Sequence, residues 1–200
     1  MNKESSCINL FIENVISQGN KTIIVFGCAR GGTSMVAGVI RMLNVDLGIN
    51  LPNNHEDQNF VGKPIEHYIN SIDSNNNNKS DWGWKNPNAA NYLEQVKHKL
   101  RNPYLIVVYR DLVSTTSGHI RYHRREPIYS LDEVLRRHLQ NLQLVYRWRV
   151  PSLLISYEKS ILNPTYLIND LTKFLQVTKD VDYEMIKTFM KPGKYKDILK

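Results

Sequence analysis

The stretch Gly27-Cys28-Ala29-Arg30-Gly31-Gly32-Thr33-Ser34 constrains the fold more than any other part of this 200-residue chain. It has the outline of a phosphate-binding loop, a glycine, four residues, a second glycine and a hydroxyl pair, but lacks the usual lysine. Thr22-Ile23-Ile24-Val25-Phe26 ahead of it reads as a buried strand, and Val36, Val39, Ile40 and Leu43 after it follow helical spacing. Strand, tight turn and helix N-terminus in that order turn several backbone N–H groups towards one spot, at the positive end of a helix dipole. Backbone holds a phosphate in that way. Thr33 stands where triphosphate-binding loops carry lysine, so the turn suits a nucleotide gripped at one phosphate better than it suits ATP.

Further strand-then-helix units follow. Asp81 to Lys85 reads as a short strand ending at Asn86-Pro87, with a helical stretch over about 89–100. Tyr104 to Tyr109 is an almost unbroken apolar run, as expected of a strand covered on both faces; it ends at Arg110-Asp111, and a helix to about Arg124 follows. Ser130 and Glu133 form a capping box for a helix to about Arg149. Leu153 to Ile155 is the last strand, and Asn163-Pro164 opens a helix with Leu167, Ile168, Leu171, Phe174 and Leu175 on its apolar face. The alternation predicts an α/β fold, a three-layer P-loop-like domain with a central parallel sheet flanked by helices. Ligands of such sheets bind beyond the carboxyl ends of the strands, where Gly27 to Ser34, Lys85 and Arg110 all fall.

Length suits a single domain over 1–200, with 1–20 as an N-terminal extension or helix and 190–200 as a basic C-terminal segment. Asn75 to Asn78 reads as a flexible loop. A net charge of +7 favours anionic partners, although no basic aromatic module points to nucleic acid. Cys7 and Cys28 are too few for a disulfide scaffold, and no apolar run has the length of a signal peptide core or a membrane span. The expected setting is cytoplasmic and reducing. His119 and His123 are four apart, but without a third ligand they read as part of a solvated basic face with Arg121, Arg124 and Arg125, and no metal site is expected.

The segments Cys28 to Ser34, Trp84-Lys85-Asn86-Pro87, Tyr109-Arg110-Asp111 and Tyr157-Glu158 together resemble the sulfotransferases that use 3′-phosphoadenosine-5′-phosphosulfate (PAPS). The resemblance runs from about Thr22 to Leu175 and is nearer the bacterial and carbohydrate-type members than the cytosolic small-phenol enzymes. It implies PAPS as donor and 3′-phosphoadenosine-5′-phosphate (PAP) as product, with no metal. Gly31, Gly32, Thr33 and Ser34 would cradle the 5′-phosphate, with Arg30 where many members carry lysine. Lys85 would face the transferring sulfuryl group. Arg110 would hold the 3′-phosphate together with a serine eight residues on, where this chain has Gly118. Ser117 is taken as the substitute, with Ser114, Thr115 and Thr116 as the other hydroxyls.

The base that takes the acceptor's proton is expected between Asn53 and Phe60: Glu56 first, as in carbohydrate-type members with a glutamate near an aromatic, and His55 second. Lys194, in the basic run Lys191 to Lys196, resembles the loop that closes over the 3′-phosphate. Trp82 and Trp84 stand just ahead of the lysine and are read either as core or as stacking platforms. The acceptor is a small molecule or carbohydrate carrying a hydroxyl or amine, and a homo-oligomer is left open. Two alternatives stand beside this reading: a nucleotide or small-molecule kinase with a degenerate P-loop, and a non-catalytic nucleotide-binding module.

Overall fold

The computed structural model describes residues 5–14 and 19–191. Among these, one mixed sheet holds β1 (Cys7–Leu10), β2 (Thr22–Gly27), β3 (Trp82–Lys85), β4 (Pro103–Tyr109) and β5 (Ser152–Ser156), in the order β1-β5-β4-β2-β3. Strands β3, β2, β4 and β5 run parallel, and β1 closes the far edge antiparallel to β5. Helices are α1 (Thr33–Met42), α2 (Ile65–Asn78), α3 (Leu93–Val96), α4 (Leu112–His123), α5 (Pro127–Trp148), α6 (Tyr157–Leu162), α7 (Pro164–Leu175) and α8 (Tyr183–Met190).

Strand periodicity divides the interior into two layers. Ile23 and Val25 of β2, with Tyr104, Ile106 and Val108 of β4, pack against α1, α7 and α8. Ile24 and Phe26, with Leu105 and Val107, meet Trp82, Trp84, α3 and α5 on the other face. Burial on both faces explains why β2 and β4 read as unbroken apolar runs. The five apolar residues expected on the face of α7 are all buried, behind Pro164 at its first position.

The chain after β2 turns into α1 on one face, whereas the chain after β4 turns into α4 and α5, and α5 packs on the other. The crevice between the carboxyl ends of β2 and β4 is therefore a topological switch point. Register aligns these ends, Gly27 with Val108, Val25 with Lys85, and Tyr109 with Ser156.

Four expectations are corrected. The N-terminal segment contributes β1, pinned where Ser6 N–H donates to Asp170 Oδ2 at 3.0 Å. Asn75 to Asn78 is the last turn of α2, because Asn76 donates to Lys99 O at 2.9 Å and accepts from Trp82 Nε1 at 3.1 Å. Pro127 starts α5 before the supposed capping box, so the Ser130 N–H donates to Glu126 O within the first turn. The stretch after Pro87 is α3 between two short 3-10 turns.

Candidate active site

A cleft of about 690 Å³ lies at the switch point, lined by Ala29, Arg30, Gly32, Thr33, Ser34, Glu56, Lys85, Arg110, Gly118, Tyr122 and Tyr157 among others. Its floor is the turn between β2 and α1. Gly32, the N-cap of α1, has φ 89°, the left-handed region that glycine enters freely. The Tyr157 ring lies flat against it: a Cβ at Gly32 would sit 2.2 Å from Tyr157 Cδ2. Met35 and Val36 N–H already donate to Gly32 O, which leaves the N–H groups of Thr33 and Ser34 at the open end of α1, and their hydroxyls lie beside them.

The segment 53–60 is anchored on either side of Glu56. His55 is buried, receiving the Arg41 guanidinium on Nδ1 at 3.0 Å, with its ring edge-on to Phe189. Phe60 is buried against Trp84, ring centroids 4.3 Å apart, and its carbonyl accepts from Asn86 Nδ2 at 2.6 Å. Phe60→Ala is accordingly expected to cost about 3–5 kcal/mol, read as a lowered urea midpoint, with Phe60→Leu costing clearly less.

Lys85 ends β3 with its side chain 2% exposed, and its Nζ reaches Glu56 Oε1 at 2.6 Å. The ammonium also donates to Asn54 O at 3.1 Å and to Ser34 Oγ at 3.4 Å. Burial lowers the lysine's pKa below the ordinary range, and the Glu56 carboxylate pulls back the other way. A cation, a carboxylate and a loop hydroxyl thus meet at one wall of the cleft.

Two guanidinium groups also line the cleft, each stacked on a tyrosine. Arg110 lies 4.7 Å above the Tyr157 ring, and Arg30 lies 3.9 Å above Tyr122. Arg110 Nη1 donates to Arg30 O at 3.0 Å, while its Nε is buried with no hydrogen-bond partner among the described residues, 4.0 Å from Glu158 Oε1.

Arg30, Gly32, Thr33, Ser34, Glu56, Lys85 and Arg110 therefore converge, whereas Gly31 lies outside the cleft lining with its N–H turned onto Cys28 O at 2.9 Å. Other candidates do not. His55 is turned away, buried between Arg41 and Phe189, and does not line the cleft. Ser117 is exposed outside the cleft lining, whereas Gly118 lies within it with its Cα beneath the Arg30 side chain. Lys194 lies outside the described residues. Trp82 and Trp84 are core residues, 1% and 0% exposed. His119 is buried rather than solvated, and no group of three or more potential metal-ligating side chains occurs among the described residues.

Sequence reasoning gave Tyr122 no place in the site and Tyr157 no role beyond its motif. A tyrosine's default reading is core, and only the fold brings these two rings beneath arginines.

No protein-family model matches the sequence, and no curated protein matches it. Solved structures do. A mouse sulfotransferase, SULT7A1, complexed with PAP, superposes with a TM-score of 0.61 over 92% of this chain and 72% of that one, at 16% identity. The sulfotransferase domain of the Synechococcus PCC 7002 olefin synthase gives 0.56 over 90% of this chain and 81% of that one, at 13% identity. A sulfotransferase from Alicyclobacillus acidocaldarius gives 0.54 over 84% and 85%, at 14% identity. Identities this low speak to architecture: the chain has the P-loop-like α/β fold of the sulfotransferases.

Proposed function

We propose that the protein is a PAPS-dependent sulfotransferase acting on a hydroxyl or amine of a polar acceptor, a carbohydrate in the first instance. The observation that carries the reading is the buried Lys85 paired at 2.6 Å with Glu56, which opens to the cleft, and set against the loop hydroxyl of Ser34. The cleft also fits the donor. Its volume is in the range of small-molecule and cofactor sites, and the buried Arg110 Nε lacks a hydrogen-bond acceptor among the described residues. The cleft lining holds three cations, Arg30, Lys85 and Arg110, and one carboxylate, Glu56, with Glu158 4.0 Å from Arg110 outside that lining.

When bound, the donor supplies an activated sulfuryl group on its 5′-phosphate. Glu56 accepts the proton of the acceptor as its oxygen or nitrogen bonds to sulfur. Lys85 and Arg30 would offset the negative charge that develops on a 5′-phosphate leaving group, and the loop N–H groups would hold that phosphate. Lys85, held on Glu56 Oε1 at 2.6 Å, would also be within reach of a bound anion beside Ser34, and sharing the ammonium in that way would leave the carboxylate freer to act as base. Arg110 serves the 3′-phosphate.

The rest of the cleft is lined by the amides of Asn53, Asn54 and Asn88 with Tyr122 and His123, a surface for hydroxyl-rich rather than aliphatic acceptors. Asp111, which a kinase would need for Mg²⁺ at this strand end, instead caps α4 by accepting from Ser114 N–H at 2.8 Å. Cys7 and Cys28 are free, and among the described residues no helix is long and apolar enough to cross a membrane; a cytoplasmic setting suits both.

Incubation with PAPS and a panel of mono- and oligosaccharides, followed by mass spectrometry, tests the activity. An acceptor gaining one SO₃ group is expected; release of PAP only with small phenols would refute the carbohydrate assignment. Arg110→Ala is expected to weaken PAP about 10–100-fold while changing AMP little, since only the former carries the 3′-phosphate.

A further inference from the structure

The loop between β2 and α1 exposes carbonyls as well as N–H groups, and a carbonyl oxygen aimed at a phosphate repels it. Each carbonyl from Gly27 to Arg30 is occupied. Asn141 Nδ2 of α5 donates to Gly27 O at 2.7 Å, and Gly31 N–H closes a turn on Cys28 O at 2.9 Å. His119 Nε2 of α4 lies 2.9 Å from Ala29 O, and Arg110 Nη1 donates to Arg30 O at 3.0 Å. Since a carbonyl only accepts, the His119 bond sets the tautomer with the proton on Nε2. Asn141 and His119 are 2% and 5% exposed, polar groups in the α4–α5 hairpin that face the back of the loop. Neither lines the cleft.

We infer that His119 and Asn141 are positioning residues that hold the loop carbonyls back, so that its N–H groups stay presented to the donor's 5′-phosphate. The inference rests on the donor-site reading above. In a trans peptide the N–H points opposite to the C=O. Fixing Ala29 O on His119 therefore turns the Arg30 N–H away from α4, and fixing Gly27 O on Asn141 turns the Cys28 N–H away from α5. The anchors also account for a strained residue. Arg30 has φ 63°, a conformation a non-glycine residue keeps only where its surroundings over-determine it. The peptides on both sides of Arg30 are held, one by His119 and one by Arg110. Cys28, with Sγ 3.6 Å from His119 Nε2, takes no nucleophilic part: burial pushes its thiol up to about 12.

The test is calorimetric titration with PAP and with adenosine 3′-phosphate, which lacks the 5′-phosphate and so does not feel the loop. Variants are His119→Leu, Asn141→Leu and His119→Gln, the last keeping an N–H at similar reach. Each leucine variant is expected to weaken PAP about tenfold and leave adenosine 3′-phosphate unchanged, while His119→Gln stays within about threefold of wild type. Should a leucine variant not fold, Asn141→Asp sets an acceptor against the Gly27 carbonyl with the same shape and the same expected loss.

Leucine variants that bind PAP like wild type would overturn the inference, and so would equal weakening of both ligands, the sign of general loosening. Wild-type protein that fails to prefer PAP over adenosine 3′-phosphate would instead overturn the donor-site reading beneath it.

Discussion

Lys85→Met is expected to lower sulfuryl transfer from PAPS by about 10²–10³-fold while weakening PAP binding far less. The lysine's ammonium is buried in contact with both the candidate base and the loop hydroxyl, through Glu56 Oε1 at 2.6 Å and Ser34 Oγ at 3.4 Å. Methionine keeps the length of the stem and removes the charge. Glu56 remains 18% exposed towards the cleft, so water can take over its solvation and the fold should survive the loss of its partner. Glu56→Gln is expected to cost about 10²–10⁴-fold in kcat, because an amide cannot take the acceptor's proton. Two groups serving one step are not additive, so the double variant should be little worse than the poorer single one. Full turnover in Lys85→Met would reduce the pair to a structural contact.

Gly32→Ala should abolish measurable PAP binding and destabilise the protein by about 2–4 kcal/mol. Two costs combine. Residue 32 has φ 89°, which penalises any side chain, and the new Cβ would lie 2.2 Å from Tyr157 Cδ2. Tyr157 cannot retreat without consequence, because Arg110 stacks on its ring at 4.7 Å and ties it to the loop through Arg30 O. Thermal unfolding and calorimetry read both effects. Adding Tyr157→Ala to Gly32→Ala removes the clash but leaves the backbone strain. It should therefore return part of the stability and little of the binding. Complete recovery of binding would show that the conformation at residue 32 is not needed.

The strands were legible where burial on both faces left no polar residue to confuse the period, as in Ile23 to Phe26 and Leu105 to Val108. Helix α7 was legible because proline and an apolar stripe agree. β1 was not: four residues of mixed exposure carry no strand signal, and their place is set by β5 and Asp170, distant in sequence. α2 was missed for a related reason, since only Tyr68 and Ile72 are buried and its asparagines are held by Trp82 and Lys99.

For the site, chemistry-bearing side chains at strand ends could be named from their order alone. What spacing could not supply is direction. Glu56 and His55 are adjacent, yet the left-handed turn at His55, φ 58°, sends the imidazole inward and leaves the carboxylate in the cleft. Likewise Gly118 rather than Ser117 faces the cleft, and Arg30 fills the space that a side chain at residue 118 would take.

The central claim is a donor site built for PAPS, and calorimetric titration with PAP, AMP and ATP·Mg²⁺ tests it most directly. Clear preference for PAP, lost in Arg110→Ala, is the predicted result. Equal or tighter binding of ATP·Mg²⁺ would contradict the account and favour a kinase.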